Sequence, residues 1–420
     1  MGIRVGSVLG GAMHAKDDQS RQSWIDAFLD VSRHKPEGAS MSEVRSCIIK
    51  LDDILHRNWK LGKNIILAWT PSHDGLDILI VPHHSIIDYI TSPNRIEEVS
   101  FIFQIISGRK QVTPRWLKRI ASALGTEIVN VDLGFATGRW LDDETVEALI
   151  RRYSLSHGTD RAVALFDAVG FSLLSPLEQV TQLNSLAYSV NSAHSKLRDK
   201  SITIKFARST TGDGFYIWNR TSSLQANRDL YHFMHLILAD NAIAQRKATS
   251  NSVPKLRAAF HIGDHYEFYQ SEGLSPTTFS YIVGDVTIEL ARMIERAIPG
   301  QIIMGDFDIT TPHPLTGEDW HLDTREFIET AQMNLTDLNG LVLNDDEISD
   351  IKVYLTGPPV KEGGFGINRY RIQDKHGRSR SVFNAKVNIY RQAKDPIFLG
   401  IQDNQLGPFQ TIGVETLPAA

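Results

Sequence analysis

Apolar positions fall into three textures along the chain. Up to residue 154, short apolar runs at 65–69 and 76–82 mix with stretches of helical spacing at 115–124 and 143–153. From 155 to 345, strands and long helices follow one another. Residues 162–166 form an apolar run of strand length that ends at Asp167. Ser175, Pro176 and Glu178 supply an N-cap serine, a proline in the first turn and a glutamate three residues after the cap. Leu177, Val180, Leu183, Leu186, Ala187 and Val190 follow at helical spacing, predicting a helix packed on a sheet. Residues 202–207 and 215–218 read as a strand pair around the turn Gly212-Asp213-Gly214. A second helix is predicted over 229–244, a strand over 256–262 and a third helix over 286–297, which Pro299-Gly300 ends before a strand at 301–304. The tail, 346–420, is strand-like and turn-rich, with strands at 351–355, 370–372 and 383–390 and a glycine-rich segment at 362–366. The order strand–helix–strand–strand–helix–strand predicts an α+β domain of ferredoxin-like kind over 155–345. A mixed α/β domain (1–154) precedes it and a small β-rich module (346–420) follows.

Composition fits this picture. At ~150 residues per domain, 420 residues imply two or three domains. With 42% hydrophobic and 22% charged residues, each can bury a core. Lys and Arg total 44 against 49 Asp and Glu, a net charge of −5, which argues against a chain built to grip nucleic-acid phosphates. The single cysteine, Cys47, excludes a disulfide framework and a cysteine-based zinc site and suits a reducing compartment. The apolar runs fall far short of the ~18 residues of a membrane span. Residues 1–15 bear only a faint likeness to a signal sequence, with one charge and a glycine-broken apolar stretch. A soluble cytoplasmic protein, with neither membrane nor nucleic acid as partner, is expected.

The chemistry points to two aspartates. Asp167 ends one strand and Asp213 sits in the turn between the next two, so neighbouring strands would bring both carboxylates to one sheet edge. Such pairs repel unless cations lie between them, and they commonly take Mg²⁺ or Mn²⁺, hard ions that share their coordination with phosphates. After Asp167 comes Ala168-Val169-Gly170-Phe171-Ser172, a loop opening into a helix, whose N–H groups would suit a phosphate. The plainer alternative makes Asp167 and Asp213 turn and cap residues only.

The wording around these residues resembles class III nucleotidyl cyclases, the adenylate and guanylate cyclase family. Leu165-Phe166-Asp167-Ala168-Val169-Gly170-Phe171-Ser172 resembles the family's F-x-D-I-x-G-F-T signature. Thr211-Gly212-Asp213-Gly214-Phe215 resembles the turn of its second metal aspartate, 46 residues on. Ala258-Ala259-Phe260-His261-Ile262-Gly263 resembles the G-I-H-x-G strand. Gly284-Asp285 with Leu290-Ala291-Arg292-Met293 resembles G-D-x-V-N-x-A-x-R-M, and Ile298-Pro299-Gly300-Gln301-Ile302 the closing P-G-Q-I. The resemblance covers the middle third of the chain.

It implies two Mg²⁺ or Mn²⁺ ions per site, held by Asp167, Asp213 and the backbone carbonyl of Ala168. The triphosphate would lie against Phe166, Val169, Gly170, Phe171 and Ser172, with Arg292 either the arginine that stabilises the transferring phosphoryl group or, more plainly, an exposed helix arginine paired with Glu289 or Glu295. Family members build such sites between two catalytic domains, which implies a homodimer. Two departures matter. The family's transition-state asparagine falls at Ile288, where only Thr287 or Glu289 offers a nearby polar group. The base-reading positions hold Ser209 and Tyr281 rather than either purine pair, and a tyrosine there would make a shallower pocket suited to a one-ring base, unless it is a core aromatic and base choice is lax. That pattern resembles the bacterial pyrimidine cyclases of the Pycsar antiphage system, whose catalytic domain precedes a sensor-like module called AGS-C. The tail's Tyr370-Arg371-Ile372-Gln373-Asp374-Lys375-His376-Gly377, with Asn384 beyond it, resembles that module. The implied reaction is UTP to 3′,5′-cyclic UMP and pyrophosphate, read by a separate effector. CTP or a purine nucleotide remains open as substrate, as does an inactive nucleotide-binding regulator.

Other signals are set aside. Residues 106–124 faintly resemble the end of a helix-turn-helix without its preceding helices. His83-His84 and the pair His261 and His265 lack a third ligand. The segment 362–366 lacks the Lys-Ser/Thr ending of a P-loop. The role of residues 1–154 and the activating signal stay unread.

Overall fold

The computed structural model describes residues 40–91, 96–135, 137, 140–271, 278–313, 316–359 and 364–418. The chain divides into two units, Met1–His157 with Tyr266–Ile282, and Gly158–His265 with Val283–Ala420.

In the first unit the two early apolar runs form a hairpin, β1 (Asn64–Ser72) and β2 (Gly75–Pro82), and β3 (Ile128–Asp132) pairs antiparallel with β2. The helices are α1 (Met41–Trp59), α2 (His83–Ile90), α3 (Ile96–Ser107), α4 (Pro114–Leu124) and α5 (Asp143–Arg151). β1 and β2 are apolar over most of their length because helices cover both faces of the sheet. Ile66, Trp69, Leu76 and Ile78 pack with Leu51 and Leu55 of α1 and Val146 and Leu149 of α5. Leu67, Ala68, Leu79 and Val81 pack with Ile86 of α2, Ile102 of α3 and Leu117 and Ile120 of α4. A break in register between Ile66 and Ala68 lets Leu67 and Ala68 join the same cluster. The buried Glu147 of α5 pins this layer. It accepts the Trp69 indole N–H (2.9 Å) and the backbone N–H groups of Lys110 (2.8 Å) and Gln111 (3.0 Å).

The second unit is a mixed α+β structure around one large sheet. Its first elements are β4 (Ser156–Ala168), α6 (Pro176–Asp199), β5 (Phe206–Thr210), β6 (Gly214–Asn219), α7 (Leu224–Lys247) and β7 (Leu256–Ser271). The strands lie in the order β7-β4-β6-β5, with β6 antiparallel to both β4 and β5. That is the order expected of a ferredoxin-like βαββαβ unit. Beyond residue 265 the far end of β7, in the first unit, pairs with β8 (Thr278–Val283). Then come α8 (Asp285–Arg296) and β9 (Ile302–Gly305), the latter parallel to β7. A separate hairpin, β10 (Asp308–Pro312) and β11 (Asp319–Asp323), leads to α9 (Thr324–Asn334).

The tail supplies β12 (Ile348–Leu355), β13 (Ile367–Gln373), β14 (Ser379–Arg391), β15 (Ile397–Leu399) and β16 (Gly413–Leu417). β14 pairs antiparallel with β9 from Val382↔Gly305 to Ala385↔Ile302. The sheet therefore runs on from β9 through β14 and β13 to β16, with β12 and β15 also on β14. One core joins Phe166, Ile217, Phe260, Met304 and Phe383. Of the glycine-rich tail segment, residues 362 and 363 lie outside the described residues.

Two sequence expectations need correction. Helix α6 packs through Gln182, Leu186, Val190, Ala193 and Leu197, whereas Leu177 and Val180 are 77% and 56% exposed. The helix carries two apolar stripes, and the core covers only the second. The strand expected from 202 begins at Phe206, because Ser201 takes a left-handed φ of 62° and the Ile202 N–H returns to the Leu197 carbonyl, ending the helix late. The capping box at the start of α6 forms as expected, with Glu178 accepting the Ser175 N–H at 2.8 Å. Among the described residues, no helix is long and apolar enough to cross a membrane.

Candidate active site

Asp167, one residue before the end of β4, stands opposite Gly214 at the start of β6. The Ala168 N–H donates to the Asp213 carbonyl at 3.0 Å, locking the turn against the strand end. Gly214 is required there, since a Cβ would lie 1.8 Å from the Phe166 carbonyl oxygen. Gly212 has a φ of 101°, which side chains other than hydrogen rarely adopt. The two glycines let the turn come close enough for Asp213 to act on Asp167. Burial pushes the Asp167 carboxyl up from the usual range; the Arg257 guanidinium pulls it back in part, and the Asp213 carboxylate adds to the rise. The Thr211 hydroxyl also donates to Asp213 at 3.2 Å, so the residue serves the turn as well.

Arg257 was missed by the sequence reading. Its Nε lies 2.7 Å from Asp167 Oδ2, and a terminal nitrogen donates to the Ala297 carbonyl at 2.8 Å. The signal was available, since Arg257 is the only formally charged residue in the apolar run 256–262 and immediately precedes the His-containing strand signature.

The loop expected to receive phosphate is tightly anchored. Buried Ala168 ends β4, and the Val169 N–H donates to the Lys255 carbonyl at 2.8 Å. Gly170 has a left-handed φ of 72° and starts a single turn, Phe171–Leu173, in which Ser172 is exposed and Phe171 half-buried. Phe166 is fully buried in the core, so only its backbone faces the strand end. Ser209 lies on β5, half-buried and paired with Tyr216 of β6.

Helix α8 carries Thr287, Ile288, Glu289 and Arg292. The Tyr216 hydroxyl donates to the Thr287 carbonyl at 3.1 Å, tying the helix start to the strand that follows Asp213. Both polar neighbours of Ile288 are engaged: the Thr287 hydroxyl donates to the Gly284 carbonyl at 2.7 Å, and Glu289 pairs with Arg380 of β14. Ile288 itself is 50% exposed. Arg292 pairs along the helix with Glu295 at 2.9 Å. Tyr281 belongs to the first unit, where its ring stacks on Phe268 at 5.8 Å between centroids. The second unit thus gathers Asp167, Ala168, Asp213, the 169–172 loop and Arg257 at one end of adjacent strands. Among the described residues, no three His, Cys, Asp or Glu side chains cluster to hold a metal.

No protein-family model matches the chain, and no curated protein does. Solved cyclase structures are similar to it at low values. The guanylyl cyclase Cya2 matches at 14% identity and a TM-score of 0.34, covering 54% of this chain and 93% of that one. The guanylate cyclase domain of RhGC from Catenaria anguillulae, in complex with GTP, matches at 9% and 0.33, covering 56% and 99%. The adenylyl cyclase CyaB from P. aeruginosa matches at 10% and 0.31, covering 58% and 98%. At such values the functional reading rests on the chain's own residues.

Proposed function

We propose that the protein is a nucleotidyl cyclase that converts UTP to 3′,5′-cyclic UMP and pyrophosphate, acting as a homodimer. The observation that carries this reading is the Asp167–Asp213 pair, with Arg257 against it, at one end of neighbouring strands. The donors there are all oxygens, two carboxylates and the Ala168 carbonyl, and one carboxylate is buried beside the other; that set fits Mg²⁺ or Mn²⁺. Asp167 and Asp213 would hold the ions, which supply positive charge against the triphosphate and acidify the ribose 3′-hydroxyl. Arg257 is close enough to Asp167 to turn its guanidinium from carboxylate to phosphate. The 169–172 loop offers the N–H groups of Gly170, Phe171 and Ser172, which take no part in the bonds that anchor it. Overall, the 3′-oxygen bonds to the α-phosphorus as pyrophosphate leaves. Arg292 would contribute by exchanging Glu295 for phosphate oxygens. Tyr281 and Ser209 are the proposed base-reading residues, and UTP is favoured over CTP or a purine on the tyrosine. A role in antiphage signalling to a separate effector is supported by the tail's resemblance to the AGS-C module.

A second reading is supported by the state of α8. Arg292 is paired with Glu295, Thr287 and Glu289 are both engaged, and Ile288 is apolar, which fits a chain that binds nucleotide without turning it over. Incubation with each of four nucleoside triphosphates and Mn²⁺ separates the readings. Pyrophosphate release with UTP alone supports the uridylate cyclase; release with another nucleotide changes the base; binding without release supports the regulator. Asp213→Asn should abolish turnover and also remove the rise in melting temperature on adding Mn²⁺. A variant that keeps both would sink the metal assignment.

A further inference from the structure

One arginine of the tail reaches α8, the helix that carries Arg292. Arg380, second residue of β14, has a side chain only 10% exposed and joins two carboxylates: Glu289 of α8 through Nε, and Asp374 at 2.9 Å through a terminal nitrogen. Asp374 is preset for this. Its Oδ1 accepts the backbone N–H groups of His376 (2.8 Å) and Arg378 (2.9 Å), building the turn between β13 and β14, while Oδ2 faces Arg380. Burial works against the ionised form, yet those N–H groups and the Arg380 guanidinium hold its carboxyl down at about 2. The sequence stretch 370–377 thus has a mechanical meaning, because its aspartate aims an arginine at a helix ninety-one positions away from that arginine.

Glu289 lies one turn before Arg292, on the same side of α8. The apolar face of the helix (Val286, Leu290, Met293, Ile294) sets its depth, and Tyr216 fixes its first turn. A helix seated on aliphatic side chains alone can still roll, since dispersion contacts are non-directional. A charge-assisted bond from Glu289 to a guanidinium that is itself fixed by Asp374 restrains that roll, and with it the direction in which Arg292 leaves the helix. A second tie joins the tail to the sheet: Arg369 of β13 lies 3.2 Å from Asp306, just after β9.

We propose that Arg380 is a positioning residue for the cyclase site, holding α8 through Glu289 so that the tail is a working part of the catalytic unit. The inference rests on the cyclase reading for its catalytic half and on α8 alone for its structural half. The test uses the full chain with Arg380→Ala, Arg380→Lys, Glu289→Gln and the Arg380→Ala/Glu289→Gln pair. Hydrogen exchange over residues 285–296 should quicken several-fold in Arg380→Ala and Glu289→Gln, with exchange over residues 224–247 unchanged. With UTP and Mn²⁺, kcat should fall about tenfold or more while KM moves less than threefold. The double variant should be no worse than either single one, and Arg380→Lys should recover most of the rate. Unchanged exchange over 285–296, or additive losses in the pair, would overturn the inference. A wild-type chain that turns over none of the four nucleotides would remove the catalytic half, while exchange would still decide whether Arg380 anchors the helix.

Discussion

Helix α7 carries an acid-sensitive core. His232 is 4% exposed, and its Nε2 lies 3.2 Å from the Ala331 carbonyl of α9, so the neutral ring donates there. His235, one turn on and 1% exposed, stacks edge-on to Tyr231 at 4.1 Å, and neither ring nitrogen has a partner among the described residues. Burial pushes His232 down to about 4, with nearby Arg228 adding to the shift, and burial and His232 push His235 well below its ordinary value. The folded state thus binds fewer protons than the unfolded chain below about pH 6.5, and stability falls as pH drops through that window. For His232 alone the slope approaches about 1.4 kcal/mol per pH unit, reaching about 2.5 kcal/mol by pH 4.5. His235 adds a loss of the same sign. That is a large share of the ~5–15 kcal/mol that holds a typical domain. His232→Gln keeps a donor for Ala331, and His235→Phe keeps a ring against Tyr231. Urea unfolding of wild type and double variant at about pH 7 and pH 4.5 gives the difference directly, since carboxylate contributions common to both cancel. The variant should lose at least about 2.5 kcal/mol less than wild type over that range. Parallel losses would mean that neither imidazole is buried neutral.

Three further outcomes are expected. Glu147→Ala leaves the Trp69 indole and the Lys110 and Gln111 N–H groups without their acceptor in a buried layer, and should cost about 3–5 kcal/mol in urea unfolding of the first unit. Gly214→Ala sets a methyl against the Phe166 carbonyl and should cost at or beyond the ~1–3 kcal/mol of ordinary overpacking; a variant that melts within a degree of wild type would show that the turn can retreat. Arg257→Met should leave Mn²⁺-induced stabilisation in place but cut turnover with UTP; equal rates would take Arg257 out of the site.

The ferredoxin-like portion was legible because its signals are local. The Ser175–Glu178 cap, the glycines around Asp213 and the Pro299-Gly300 stop each act within a few residues, and each element they bound is found within a few positions of its expected place. The exposure of Leu177 and Val180 was not legible, because two apolar stripes on one helix look alike until a sheet chooses between them. The continuation of the sheet from β9 into β14 was equally hidden. Strands at 383–390 announce themselves by composition, but which edge they cover is a matter of long-range pairing.

The two aspartates could be found from sequence because each sits at a chain reversal, where strand ends and turn glycines mark the position. The partners of Arg257 and Arg380 could not. Arg257 is 90 residues from Asp167, and Arg380 is 91 from Glu289. A charge inside a strand signals only that some partner exists, because burying it unpaired would cost several kcal/mol. That constraint can be turned into a search rule. In the run 256–262 the only formally charged side chain is Arg257, whereas 379–391 holds three cations, Arg380, Lys386 and Arg391, and composition alone does not single out Arg380. Arg257 proves to hold Asp167, a carboxylate on which the functional reading depends, and Arg380 holds Glu289, one turn before Arg292. A lone cation in an otherwise apolar strand, as Arg257 is, is therefore the position to test first when the acidic half of a site is known and its basic half is not.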